Sequence, residues 1–445
     1  MKIFMERWLL PLISFVIGGG LFALYLVSIG ESNGFTWLIT VYSAIMAHTF
    51  MVVGLFIASR PRFLEKHIGM PKMYETHAVM TLLACLIILF HIIHFWSGVG
   101  AMFRSLTTIF GYLAFICMLC GLLSGMLSLS GMFIQKFPAL LKIKEGLNRE
   151  VMLWVHRITG IGAIVFAYLQ QFFTFTRFVQ PYFTALTIVT FGTIAYYLIW
   201  KLSIAMSSKF EVVRIEKETP TLWALELKPV NGKLPTYRPG DYFSIYLKDV
   251  DGVGSEAHPF SVSSAITEEF PDRIQFMIKE SGDWSGSLDK VQVGDKAKLD
   301  GPYGDYYQPA IEASDKPFVL LAGGIGLTPN LAIIRHEIEE STQRRIHLIW
   351  ALSLKEDTFM LDDLEAFKKD NPNFDYDLIY SVDEVENYDH GFISDKFLEK
   401  IGVHELYGDA EFFICGPGVM INATKDLLLN NEVEQERIHI DEFDF

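Results

Sequence analysis

Six apolar runs of about twenty residues, set off by short polar breaks, fill the first half of the chain: residues 8–29, 35–58, 74–96, 106–129, 151–175 and 182–200. A hydrocarbon layer of about 30 Å is crossed by roughly 20 helical residues at 1.5 Å each, so each run predicts a membrane-spanning helix. From about Lys209 the pattern shifts to short alternating runs, "FEVVRIEK", "LWALELKP", "YFSIYL" and "RIQFMIK", punctuated by Gly, Pro and Asp. Their spacing predicts a small antiparallel β-barrel. After Pro317 apolar strands alternate with amphipathic helices: "PFVLLAGG", "TPNLAIIRHEIEES", "RIHLIWAL", "LDDLEAFKKD", "DYDLIYSV" and "AEFFICGPG". That order predicts a parallel, doubly wound sheet.

Charge divides the chain at the same place. Residues 1–205 hold 14 Lys and Arg, 6 Glu and no Asp, whereas the remaining 23 basic and 46 acidic residues fall in 206–445. Arg60, Arg62, Lys66 and Lys72 follow the second run, Lys136, Lys142, Lys144 and Arg149 the fourth, and Lys201 and Lys209 the sixth. The other breaks carry only Arg104 and Arg177, so the positive-inside rule puts both ends and the acidic half in the cytoplasm, with six spans in the cell membrane. A cleaved signal peptide is the rival reading of the first run, but no convincing small-residue cleavage site follows it. Cys117 and Cys120 form a lone CxxC inside an apolar run, and a second ligand pair is missing, which favours helix packing over a metal site.

The spans carry His48, His77, His91, His94 and His156. An imidazole in lipid is costly unless it is paired, lines a cavity or binds a metal. His77 and His91 are 14 residues apart, within about 40° of a whole number of turns, so they share one helix face with a rise of about 21 Å between them. His156 lies near the cytoplasmic end of the fifth span, as His77 does on the third, and the two spans run in the same direction. A haem iron clamped between them would satisfy both rings. The plainer alternative is that each His donates to a neighbouring carbonyl and does nothing more. Fourteen residues beyond His156 stands Gln170, so His91 lacks an evident imidazole partner for a second haem. His94 lies about 60° off the face of His91, and His48 matches neither depth.

In the second half, "LLAGGIGLTP" (residues 320–329) is a buried strand entering a glycine turn and a helix, so backbone N–H groups can meet a pyrophosphate at the helix end. "ICGPG" (414–418) repeats the strand-to-turn pattern at the same sheet edge. "YRPGDY", "HPFSVSS", "KESGDWSGSL", "LDGPYG", "AGGIGLTP", "ICGPG" and the terminal "DEF" occur in the order found in the ferredoxin-reductase-like half of NADPH oxidases and ferric reductases, and the helical half is similar to their membrane domain. The resemblance implies FAD held by Arg238, His258, Pro259, Phe260 and Ser261, with Lys279, Gly282, Trp284 and Ser285 at its pyrophosphate. It implies NADH or NADPH at Gly323, Gly324, Gly326 and Thr328, with Cys415, Gly416 and Pro417 near the reactive ring. A terminal aromatic, Phe443 with Phe445 as competitor, would cover the flavin. Ser353 and Lys355 are candidates to meet a 2′-phosphate, which tilts the expectation towards NADPH.

The fold expected is a six-helix transmembrane haem-binding bundle (1–205), an antiparallel β-barrel FAD domain (206–312) and an α/β nicotinamide-nucleotide domain (313–445). The activity expected is electron transfer from cytoplasmic NAD(P)H through FAD, which accepts a hydride and releases single electrons, to b-type haem. The metal ligands are His77 and His156, with His91 for a second haem, and the final acceptor is O2, giving superoxide, or a ferric chelate. A single-haem relay to a quinone or a partner protein is the alternative. A transporter with a regulatory nucleotide domain is a third reading, and it predicts no haem absorption.

Overall fold

The structure is a computed structural model that describes every residue except 1, 30–33, 99–105, 130–146, 148, 207–208, 255, 309–310, 312–313, 341–342 and 443–445. Phe443, Phe445 and the loop charges Arg104, Lys136, Lys142 and Lys144 lie outside the described residues. The chain divides into two compact units, Met1–Ala205 and Met206–Phe445.

The first unit is helical: α1 (Lys2–Ile29), α2 (Phe35–Ala58), a short α3 (Arg62–Ile68), α4 (Met70–Gly98), α5 (Leu106–Leu129), α6 (Arg149–Phe172) and α7 (Tyr182–Met206). The six long helices fall on the six predicted runs and are long and apolar enough to cross a membrane. Several of their hydroxyls are satisfied within the helix: Thr40 donates to Thr36, Thr49 to Ile45, Thr81 to His77 and Thr190 to Leu186 carbonyls. α2 is the central helix, with 72% of its most apolar window buried against 17–22% for the other five. It packs along α4, while α5 packs along α6. An aromatic cluster at one end fixes α1 to its neighbours: Trp37 donates to the Tyr25 hydroxyl at 2.7 Å, and Tyr25 stands edge-on to Tyr182 at 5.5 Å.

The second unit contains two sheets. The first is antiparallel, with hydrogen-bonded order β4-β3-β6-β1-β2-β5: β1 Lys209–Thr219, β2 Leu222–Pro229, β3 Tyr242–Lys248, β4 His258–Ser261, β5 Ile274–Lys279 and β6 Lys296–Tyr303. The edge strands β4 and β5 meet through the bridge Val262–Phe276. Two strands escaped the periodicity: β4 is only four residues long, and β6 crosses "LDGPY", whose Gly and Pro read as a turn.

The second sheet is parallel, order β10-β9-β8-β7-β11-β12, from β7 (Phe318–Gly323), β8 (Ile346–Leu352), β9 (Phe374–Tyr380), β10 (Asp389–His390), β11 (Glu411–Gly416) and β12 (Ile438–Glu442). Helices α8 (Leu327–Glu339), α9 (Leu361–Asp370), α10 (Asp395–Lys400) and α11 (Gly418–Asn430) connect the strands. β7 and β11 are buried at every position, since helices cover both faces. Leu320, Phe413 and Cys415 enter one core, whereas Val319, Leu321 and Ile414 enter the other. Each such aliphatic or aromatic side chain contributes about 1.5–3 kcal/mol on burial. The first core also takes in Leu222, Ala224 and Met277, which fasten the antiparallel sheet to the parallel one.

Candidate cofactor sites

His77 on α4 and His156 on α6 are neighbours, with ring centroids 5.9 Å apart and planes crossing at 73°. Each Nδ1 is tied to a backbone carbonyl of another helix: Gly54 of α2 at 2.9 Å for His77, and Gly121 of α5 at 2.8 Å for His156. A carbonyl only accepts, so the protons sit on Nδ1 and each Nε2 is left with its lone pair. Metal–imidazole bonds of about 2 Å on each side, with the ring radii added, need centroids roughly 6 Å apart. The centroid spacing of the pair matches that separation. Glycine at 125 makes room: a Cβ there would stand 2.8 Å from His156 Nδ1. Among the described residues, three or more His, Cys, Asp or Glu side chains do not cluster as a metal site.

His91 repeats the second-sphere bond further along α4, its Nδ1 lying 3.0 Å from the Thr40 carbonyl and 3.1 Å from the Ser43 hydroxyl. It borders a cavity of about 50 Å³ whose other wall includes Gln170 and Gln171. His94 is committed elsewhere, with Nε2 donating to the Thr36 carbonyl at 3.1 Å. His48 is a buried packing residue. The Thr190 hydroxyl gives its proton to Leu186, so it accepts from His48 Nε2 at 2.7 Å, and Nδ1 has no hydrogen-bond partner.

The motif residues assigned to flavin converge from distant parts of the sequence. The Trp284 indole stacks on His258 at 4.6 Å and on Phe260 at 5.5 Å, and its Nε1–H donates to the Gly254 carbonyl. Pro259 pairs with Ser244 across β3, and Ser261 ends β4 with its hydroxyl 3.4 Å from the Asp441 carboxylate. The Ser281 and Gly282 N–H groups converge on Ser285 Oγ at 2.9 and 3.1 Å, and that hydroxyl donates back to the Gly282 carbonyl at 3.2 Å, closing a tight turn. Arg238 joins through its backbone, whose N–H donates to Asp241 at 2.8 Å. Lys279 turns towards the nucleotide turn instead, pairing with Asp357 at 3.2 Å along a crevice shared with Gly324 and Ile325.

That turn is locked by three bonds: Trp350 Nε1 to the Gly324 carbonyl, Thr328 Oγ1 to Ile325, and Asn330 Nδ2 to Gly326. Gly324 has φ +53°, and a Cβ on Gly326 would overlap the Cys415 carbonyl. Gly323 ends β7, and α8 begins at Leu327, so the turn delivers a helix N-terminus to the carboxyl edge of the sheet. Cys415, Gly416 and Pro417 leave β11 beside it. Cys415 lies in register with Ala322 on one side and Asp441 on the other, and burial pushes its thiol well up. Ser353 and Lys355 sit at the loop after β8, where the Lys355 N–H donates to the Asp383 carboxylate at 2.7 Å. A 2′-phosphate there would meet that negative charge.

Two acids stand out within the quoted motifs, Asp241 in "YRPGDY" and Asp441 in "DEF", to which no role was assigned. Desolvation lifts Asp441 to about 7, with Asp305 and Asp241 adding to the rise and Ser261 opposing it; burial likewise lifts Asp241 to about 7. An Asp inside the strand "IHIDE" was the available signal, but its place beside Cys415 needs the β11–β12 pairing, which pattern alone does not supply.

Residues 207–307 match the family described as FAD-binding domain, and residues 320–426 match the one described as oxidoreductase NAD-binding domain. The reductase component of propane 2-monooxygenase from Rhodococcus jostii is 29% identical over 242 residues, 52% of this chain and 62% of that protein. The flavohemoprotein of Deinococcus radiodurans is 27% identical over 237 residues, 51% of this chain and 57% of its own. The chain thus spans about three-fifths of the length of these relatives. Among solved structures, the flavohemoglobin from Malassezia yamatoensis aligns with TM-score 0.48 at 16% identity, covering 92% of this chain and 96% of that one. The FAD/NAD-binding domain of nitric oxide dioxygenase from Vibrio cholerae aligns with TM-score 0.46 at 22% identity, covering 53% and 98%. The second unit accordingly carries an FAD-binding domain followed by an oxidoreductase NAD-binding domain.

Proposed function

We propose that this chain is a membrane flavocytochrome oxidoreductase of the NADPH oxidase and ferric reductase type, with domains at 1–205, 206–312 and 313–445. In this reading FAD and b-type haem, when bound, supply the conversion of a hydride pair from NADH or NADPH into single electrons for O2, as superoxide, or for a ferric chelate. The observation that carries it is the His77–His156 pair, two imidazoles 5.9 Å apart whose Nδ1 atoms are both spent on carbonyls.

The chain's own residues divide the work. Gly54, Gly121 and Gly125 orient the two rings and fix their tautomers. His258, Phe260 and Trp284 form the aromatic wall of the flavin site, and Ser281, Gly282 and Ser285 its anionic end. The turn 323–328 receives the nucleotide pyrophosphate. Cys415 is uncharged below its raised pKa, and together with Ser261 it walls the place where nicotinamide and flavin meet. Asp441 holds a proton there below about pH 7. Phe443 is proposed as the aromatic lid. The six helices are proposed to span the cell membrane with both soluble domains cytoplasmic.

The second reading is a single-haem relay to a quinone or partner protein, favoured by Gln170 at the position opposite His91. Purified His77→Ala and His156→Ala proteins test the main proposal: each should lose the low-spin haem spectrum while keeping FAD. A full spectrum in either variant would defeat the inner-site assignment.

A further inference from the structure

The helix that follows the nucleotide turn is pinned to the flavin strand by a buried charge. Arg335 stands eight residues after Leu327, the first residue of α8, a rise of about 12 Å from the glycine turn. It is 5% exposed, and its Nη1 donates to the Ser263 carbonyl and to Gln275 Oε1, both at 2.9 Å. Ser263 lies two residues beyond Ser261, where β4 ends. The seat is itself braced: the Ser263 N–H donates to the Gln275 carbonyl, Ser263 Oγ to Gln275 Oε1 and the Gln275 N–H to Ser264 Oγ, each at 2.9 Å. Two more bonds hold α8 on either side of this point. The Tyr306 hydroxyl donates to Asn330 Oδ1 at 2.9 Å, and the Glu268 N–H donates to Glu339 Oε1 at 3.0 Å.

Packing alone does not call for a charge here. Arg335 Nε is buried without a hydrogen-bond partner, and the Glu269 carboxylate, 55% exposed, stands 3.7 Å away. An apolar side chain of similar volume would fill the place without desolvating a cation. Leu222, Ala224 and Met277 already join the two sheets through a shared core, but apolar contact has no direction. The guanidinium supplies direction, as a planar fork held on two acceptors and over the Phe270 ring at 4.8 Å. We infer that Arg335 is a positioning residue for hydride transfer: seated on Ser263 and Gln275, it fixes α8 and the nucleotide turn at the distance and angle from the flavin strand that the reaction needs. This deepens the oxidoreductase reading and rests on FAD and a nicotinamide nucleotide occupying the sites assigned above. In the step it serves, the C4–H bond of the dihydronicotinamide breaks, an N–H bond forms at flavin N5, and both electrons pass with the hydrogen from nucleotide to flavin. Reacting atoms must lie about 3–3.5 Å apart, and a misplacement of about 1 Å costs on the order of a hundredfold. A tilt of α8 by about 5° around Arg335 would move the turn by about 1 Å.

Arg335→Met in the purified full-length protein tests this, since methionine fills the site but cannot donate. Anaerobic flavin reduction by saturating NADH or NADPH should slow by about 10- to 100-fold in stopped flow. The long-wavelength charge-transfer absorbance of the reduced flavin with NAD+ or NADP+ should weaken with it. Affinity for ADP-ribose, which carries the pyrophosphate but no nicotinamide, should stay within about twofold, and FAD content should not change. Arg335→Lys, which keeps the charge, should recover part of the rate. Parent-like reduction and charge-transfer absorbance in Arg335→Met would overturn the inference. So would a slowing matched by an equal loss of ADP-ribose affinity or of FAD, the mark of a merely structural role. If Arg335→Met does not accumulate, Gln275→Leu, which leaves Nη1 only the Ser263 carbonyl, decides by the same readouts: slowing of at least about threefold supports the inference and the parent rate overturns it. A parent protein that takes no hydride from either nucleotide would overturn the proposed function beneath it.

Discussion

The two units of this chain place their chemistry in opposite ways. In the helical unit the candidate site is a few side chains at fixed depths, each oriented by one carbonyl on another helix, so a single atom decides the fit. In the second unit the candidate sites are turns and strand ends, drawn from short motifs and held mostly by backbone. The contrast follows from the surroundings. In the proposed membrane setting lipid would leave no water to satisfy a misplaced polar group, so the helices would have to specify few groups tightly. A sheet edge in water can spread binding over many modest contacts.

This contrast predicts effects that shrink from the first unit to the second. Gly125→Ala should cost most, because its Cβ would press on His156 Nδ1 at 2.8 Å; we expect at least about a tenfold loss of low-spin haem occupancy by absorbance, with FAD retained. Gly54→Ala is the control. Its Cβ would lie 3.8 Å from His77, an ordinary contact, so occupancy should stay within about twofold. Equal losses in the two variants would break the single-atom account. In the second unit, Gly326→Ala should raise KM for the nicotinamide nucleotide about tenfold, since its Cβ meets the Cys415 carbonyl, while flavin content and haem spectrum hold.

A graded effect is expected at the buried acids. Asp241 and Asp441 have folded-state pKa values of about 7, above the ordinary carboxylate value, so the folded protein binds more protons than the unfolded one between pH 4 and 7. Their contribution to stability is complete below the unfolded pKa and is lost as pH rises through about 7. Asp241→Asn should flatten this slope and raise stability at pH 8 by on the order of 1–3 kcal/mol, read as thermal unfolding across pH 5–8. A slope unchanged in the variant would contradict the assignment. The smallest effect is expected at nucleotide choice: Lys355→Ala should leave the NADH to NADPH preference within about twofold, whereas Asp383→Asn should shift it towards NADPH by on the order of threefold.

The same contrast explains what could be read from sequence. The six long helices were legible from unbroken apolar length, and the alternation after Pro317 because apolar period there records burial. His77 and His156 could be matched by face and depth, since helical geometry converts spacing into position. Gly54, Gly121 and Gly125 were not legible as orienting residues, because nothing in one helix says which carbonyl of another it will face. The strand β4 and the register of Cys415 with Asp441 were hidden for a related reason: pairing between distant strands is decided by the whole sheet. The pairing of Lys279 with Asp357 beside the nucleotide turn was likewise not legible, since it joins residues far apart in the chain.

The central claim is the imidazole pair, and the haem-to-FAD ratio of the purified protein, measured with its low-spin spectrum in parent, His77→Ala and His156→Ala forms, tests it most directly. The account predicts at least one low-spin haem per FAD in the parent and the loss of that haem in both variants, with FAD unchanged. A flavin-replete protein without haem absorption, or a low-spin haem indifferent to both substitutions, would contradict it.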